Sequence, residues 1–330
     1  APDATRSTLA ETVRRPVPDW LRPLKVHAMM QSLRPGRAPR KAGCSGCKRR
    51  IRAGARVLTL TAALLAAQQL PGAELRPRTL EAWETYIRLT EQRIAAELQD
   101  SQKVLTTDFL AETRSIRPLL RNGQVDIRRY RTPDAGGKEI SVPDGMIHHW
   151  LGTIFVPQTT LPSLLEWIQD YDQHDRYFLE VERSDLVSRD GPEFKIFYRL
   201  RRKKVITVYY NTLHTVVYRQ PDPRRASSRS FTTKIAELDQ PGEPGEKEKP
   251  AGDDRGFLWR LNSYWRFQED DGGVFVECES VSLSRSIPFG LSWLIKGYVE
   301  SIPRESLEGT LTSIRNGIAS ANRLGASANK

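Results

Sequence analysis

The sequence predicts an α+β domain: an antiparallel sheet closed by a long C-terminal helix, with a further helix ahead of it. Three observations predict it. From Gly256 to Phe267, Phe257, Trp259, Leu261, Trp265 and Phe267 fall on one face, and Arg260, Asn262 and Arg266 on the other, the period of a half-buried strand. Asp271-Gly272-Gly273 then offers the backbone freedom of a tight reversal, and Val274 to Leu283 returns as a second strand carrying Glu277 and Glu279 on one face. Beyond it, Leu307, Leu311, Ile314 and Ile318 recur at helical spacing.

The chain has 330 residues and a formal net charge of +11. Residues 1–56 hold fourteen Lys/Arg against three acidic residues, so the remainder is formally neutral. The basic balance therefore belongs to the leader and gives no reason to expect a nucleic-acid partner for the rest. Residues 1–56 show no hydrophobic period and are expected to be disordered, with Met29 or Met30 as the expected start of translation. Lys48-Arg49-Arg50-Ile51-Arg52, the apolar run Val57 to Ala67 and the small residues Gly72-Ala73 stand in the order of a secretory signal peptide. The run is shorter than the roughly 20 residues that span a bilayer, so export to the periplasm or medium is expected, without stable membrane insertion after cleavage.

A helical extension over residues 74–140 follows, with Thr79 as the expected N-cap and Leu80, Trp83, Ile87, Ile94 and Leu98 on one face. Pro133-Asp134-Ala135-Gly136-Gly137 is a turn. Asp144 to Pro157 reads as the first long strand, and Thr160 caps a helix bearing Leu161, Leu164, Leu165, Ile168 and Tyr171. Phe194, Ile196, Tyr198 and Leu200 alternate with Lys195, Phe197, Arg199 and Arg201, which turns the first set inward. Val205 to Tyr210 is apolar or β-branched on both faces, so its orientation stays open; Arg225 to Phe231 supplies another strand. Residues 239–254 read as a solvated loop, and Ser301-Ile302-Pro303 as a helix start with proline in the first turn. Antiparallel pairing is expected to set Arg260 and Arg266 opposite Glu277 and Glu279.

The runs Trp259-Arg260-Leu261-Asn262-Ser263-Tyr264-Trp265 and Ser301-Ile302-Pro303-Arg304-Glu305-Ser306-Leu307-Glu308, with the glycine hairpin and the Ile287-Pro288 elbow between them, resemble the START-like, or SRPBCC, superfamily of helix-grip proteins, nearest to bacterial members. The resemblance covers residues 141–320 and leaves 321–330 as a tail. It implies a curved antiparallel sheet wrapped around the C-terminal helix, with a ligand cavity between them. Candidate lining residues are then Phe194, Ile196, Tyr198, Tyr210, Trp259, Leu261, Trp265 and Trp293. The expected function is binding of a hydrophobic small molecule, of lipid, isoprenoid or polyketide-like kind, as carrier or sensor. Two alternatives stand beside it: an enzyme of the cyclase, aromatase or hydratase sort, with Tyr210, His214 and Asn262 as polar groups, and an interaction module without ligand.

The remaining motifs carry less. Cys44 and Cys47 lie in the leader, far from Cys278, and do not make up the roughly four ligands of a structural zinc site. His148 and His149 are neighbours on a strand and point to opposite faces, so they cannot hold one ion together. Arg201-Arg202-Lys203-Lys204 reads as a charged turn or edge between strands. Asp170, Asp172 and Asp175 lack the glycine and terminal glutamate of a calcium loop. No phosphate loop or dinucleotide fingerprint occurs. No metal or cofactor is expected.

Overall fold

The computed structural model describes residues 74–328 apart from 112, 204, 205 and 287–291, without the side chains of 113, 292–300 and 324–328. The leader, the apolar run, Cys44, Cys47 and the Ile287-Pro288 elbow lie outside the described residues.

α1 (Pro77–Glu97) begins where Pro77 occupies the first turn, whose N–H groups lack intrahelical partners in any case, behind an extended Arg76. Thr79, expected as the cap, sits inside that turn and donates its hydroxyl to the Pro143 carbonyl at 2.7 Å. After a 3₁₀ turn (Thr106–Phe109) come α2 (Thr113–Arg121), β1 (Asp126–Arg129) and β2 (Gly145–Pro157). Thr160 does cap α3 (Leu161–Gln169), accepting the Ser163 N–H. A second 3₁₀ turn (Tyr171–Gln173) and the single turn α4 (His174–Tyr177) lead into β3 (Val181–Asp190), β4 (Glu193–Lys203), β5 (Thr207–Asp222), β6 (Arg225–Asp239) and the short β7 (Lys247–Glu248). β8 (Arg260–Asp270) and β9 (Gly273–Arg285) form the hairpin, turned at Gly272 with φ +83°. α5 (Ser292–Ala328) runs through Pro303 as one helix, so the expected start at Ser301 falls inside it. The sequence reading also missed β3 and stopped β5 at Tyr210 and β6 at Phe231, short of their ends at Asp222 and Asp239.

The strands form one antiparallel sheet in the order β1-β2-β9-β8-β6-β5-β4-β3, with β7 on β6. Pairing builds rows across the concave face. Ala226, Phe267, Val276 and Ile154 make one row; Tyr218, Ser228, Trp265, Cys278 and Gly152 make the next. Leu307, Leu311, Ile314 and Ile318 of α5 are buried in the same cluster as these residues and as Leu161, Leu164 and Leu165 of α3. At Gly152 helix and sheet approach closely: a Cβ there would stand 2.6 Å from Leu311 Cδ1, 2.7 Å from Ile127 Cδ1 and 3.0 Å from Leu307 Cδ2. Gly152→Ala is therefore expected to cost about 1–3 kcal/mol by overpacking, read as a lower midpoint in a urea melt. An unchanged midpoint would mean that α5 is not seated there.

The convex face is not solvent-facing as the outward arginines had implied. α1 and the segment after it cover it. Trp83, Tyr86 and Ile94 of α1 pack with Tyr264, Val281 and Leu283, while Leu98 is exposed. Beneath them lies a charged network. Glu277, 1% exposed, accepts the Thr107 N–H at 3.0 Å, the Thr106 N–H and the Thr153 hydroxyl; burial pushes its pKa up, against the pull of Arg266 and these donors. Arg266, 2% exposed, stands opposite Glu277 as expected, yet its ion pair is with Glu97 of α1, and it also donates to the Val104 carbonyl. Glu279 is opposite Tyr264 rather than Arg260, which pairs with Leu283. It takes an ion pair from Arg93 and a 2.7 Å bond from His149 Nε2, whose Nδ1 meets Tyr86 Oη at 2.8 Å. Burial raises the Glu279 pKa, but His149, Arg93 and Arg266 outweigh it and hold the carboxyl below the ordinary range.

Candidate functional site

Beyond the rows packed under Leu307 to Ile318, the concave face changes character. The next row across the sheet reads Phe194, Val216, Ser230, Ser263, Ser280, Trp150. The row after it holds Ile196, His214 and Thr232 on β4, β5 and β6, then Leu261, Ser282 and His148 on β8, β9 and β2; the Leu261 N–H donates to the Thr232 hydroxyl at 3.2 Å. Farther along β5 are Thr212 and Tyr210, the latter between Leu200 and Glu237. Small side chains thus occupy the middle strands and rings stand at the margins.

β8 shows what this does. It is a central strand with β6 and β9 on its flanks, yet Leu261, Ser263 and Trp265 on its concave side are only half-buried. On its convex side Asn262, Tyr264 and Arg266 are 7%, 4% and 2% exposed. Accessible surface on a central strand beneath a helix means that the side chains there do not fill the space. Ser301, Ile302, Glu305 and Ser306 on the facing part of α5 are likewise half-buried, whereas Leu307 and Leu311 one turn on are closed in.

This is the helix-grip fold. Its sheet holds the C-terminal helix on one half of the concave face, and the polar half beside that contact is the candidate site. No family model and no curated protein matches the chain. Among solved structures, it is similar to a STAR-related lipid transfer protein from Xanthomonas axonopodis, at 15% identity over 54% of this chain and 96% of that one, TM-score 0.39. It is also similar to a START superfamily protein from Mycobacterium smegmatis, at 8% identity over 53% and 99%, TM-score 0.36. A third likeness is to the Zhui aromatase/cyclase from a Streptomyces strain, at 9% identity over 52% and 93%, TM-score 0.36. The chain's own strand order and seated helix carry the assignment of the helix-grip fold.

Of the expected lining residues, Phe194, Ile196, Tyr198, Tyr210, Leu261 and Trp265 share the concave face, but not one cluster. Phe194 and Ile196 are wholly buried with Val216 and Tyr171. Tyr198 is tied to His174, its hydroxyl 2.8 Å from Nδ1. Trp259 is a correction. β8 begins only at Arg260, after a bent approach, and Trp259 packs with Trp83 and Tyr86 on the α1 side, its Nε1–H donating to Asp254. Phe257, expected inward, is exposed, since it precedes the strand and its pleat. Asn262 lies on the convex side and donates to Tyr264, away from the site. The side chain of Trp293 lies outside the described residues.

The serines were missed, although Ser263 has the same parity as Leu261 and Trp265; only pairing shows that Ser230 and Ser280 flank it. Among the described residues none of these three hydroxyls has a hydrogen-bond partner. Tyr210 Oη is buried and also without one. The histidines of this face are neutral at pH 7. Burial pulls His214 down to about 4, and burial aided by Arg129 does the same for His148. His174 is brought down to about 4 by burial, its Nε2–H donating to the Ile168 carbonyl. Glu237, opposite Tyr210, is closed in and paired with Lys249 and Arg255, both at 2.9 Å. Among the described residues no group of three His, Cys, Asp or Glu side chains is placed to hold a metal, and no helix is long and apolar enough to cross a membrane.

Proposed function

We propose that the protein binds a hydrophobic small molecule between the polar half of the concave face and α5, as a carrier or sensor. The observation that supports this is the accessible concave side of β8, a central strand whose opposite side is closed. Trp150, Trp265 and Leu261 supply apolar surface, worth about 25 cal/mol per Å² removed from water. The serines and Tyr210 supply the few polar groups that orient a ligand in such a site. The fluorescent, uncharged dye Nile red tests it directly. Binding with a dissociation constant of about 1 µM or tighter is expected, weakened by Ser263→Trp, which fills the space in the middle of the serine row. Absence of binding, or binding indifferent to Ser263→Trp, would refute the proposal.

A further inference from the structure

We infer that the ligand is a neutral amphiphile carrying hydroxyl or carbonyl groups, and that the hydroxyls of Tyr210, Ser230, Ser263 and Ser280 recognise it. This rests on the binding reading above and adds the ligand's charge class.

Two observations carry it. The first is the unpartnered hydroxyls. Tyr210 Oη is buried with no hydrogen-bond partner among the described residues, and a buried hydroxyl left unsatisfied costs about 1–3 kcal/mol. Ser230, Ser263 and Ser280 stand side by side on three adjacent strands, in register, and the row continues through Trp150 on β2 to Arg129 on β1. Hydroxyls both donate and accept, so they suit an alcohol or carbonyl and supply no net charge. Tyr210 and the serine row are separated along β5 by the six residue steps from Tyr210 to Val216, about 20 Å of strand. A molecule meeting both is elongated and polar at two places.

The second is the balance of charge around the face. Glu237 is matched by Lys249 and Arg255, with Asp254 beside them on Trp259 Nε1 and the Gly256 N–H. Arg202, at the end of β4, is committed to Glu180 and to the Ile302 carbonyl. His148 is on Ser284, His214 on Thr212 and His174 on Tyr198. Glu237 and Arg202 thus have their counter-charges in the protein, while Arg189, opposite Phe194, and Arg129, opposite Trp150, are exposed at the two outer edges of the row. An anionic headgroup seated on the middle strands, away from those edges, would lose its hydration without gaining a cation, which is costly in a low-dielectric site.

Displacement of Nile red by a matched pair tests the inference: monooleoylglycerol, which is neutral, against the lysophosphatidate with the same chain and glycerol, which adds only a phosphate. The neutral lipid is expected to displace the dye at a concentration about tenfold lower or more. Tyr210→Phe is expected to narrow that ratio and, since it deletes a hydroxyl with no partner, to leave the melting temperature of the unliganded protein unchanged or raised. Equal or stronger displacement by the lysophosphatidate, displacement by neither, or an unchanged ratio in Tyr210→Phe overturns the inference while leaving the binding reading intact. A lowered melting temperature in Tyr210→Phe also overturns it, because the hydroxyl then serves the fold. If Nile red itself does not bind, the binding reading fails and this inference with it.

Discussion

Lowering the pH from 7 toward 4 is expected to remove most of the protein's stability, with the loss concentrated below about pH 6.5. His148, His174 and His214 are buried with pKa values of about 4 in the folded chain, whereas an unfolded histidine titrates near 6.5. Between those values the unfolded chain binds a proton that the folded chain refuses. Stability therefore falls as pH falls through that window, and the contribution is fully present only above about 6.5. Each imidazole contributes a slope of up to about 1.4 kcal/mol per pH unit, so three approach about 4 kcal/mol per unit. Against a typical total of about 5–15 kcal/mol, that is enough to unfold a domain. Glu279, held below the ordinary carboxylate range, adds a loss at lower pH still, as its folded-state pKa is crossed. Glu277, whose pKa burial raises, acts in the opposite sense. Urea melts from pH 7 to 4.5 check the expectation, with His214→Gln reducing the slope by about a third. A flat profile would mean that the three rings are not buried neutral.

The second large effect lies on the other face of the sheet. Arg266→Met is expected to cost about 3–5 kcal/mol, since removing one partner of a buried ion pair leaves charges uncompensated. Here those charges are Glu277, wholly enclosed, and Glu97 of α1, which retains Arg93. The double change Arg266→Met with Glu277→Gln is expected to recover part of the loss, because the amide keeps the volume and removes the negative charge. Denaturant melts of the parent, Arg266→Met, Glu277→Gln and the double variant form a cycle, and additive losses would show that Arg266 and Glu277 do not interact. The same network explains why α1 belongs with the sheet. It buries a face rich in charge, so a fragment without α1 would expose Trp83's partners Val281 and Leu283 and leave Glu279 without Arg93.

How much was legible depended on the range of the interaction. The β8–β9 hairpin, the Thr160 cap, the inward set Phe194, Ile196 and Tyr198, and the helical stripe Leu307 to Ile318 were readable because period and turn chemistry are local. The START-like resemblance and the helix-grip expectation rest on the same runs. Sequence could also say that His148 and His149 part company across a strand, a consequence of the pleat alone. It could not say what met each of them. Arg266 and Glu277 looked outward, and only the docking of α1 turned that side into a second interior. Parity put Trp259 with Leu261 and Trp265, but parity holds only inside a strand, and the bend before Arg260 carries that ring to the α1 side. Ser230, Ser263 and Ser280 are far apart in the chain and unremarkable one at a time. Residues 226–231, 260–267 and 274–283 each fixed their own alternation. That three small hydroxyls then form one row beneath a helix follows from strand register, a long-range pairing that no local pattern encodes.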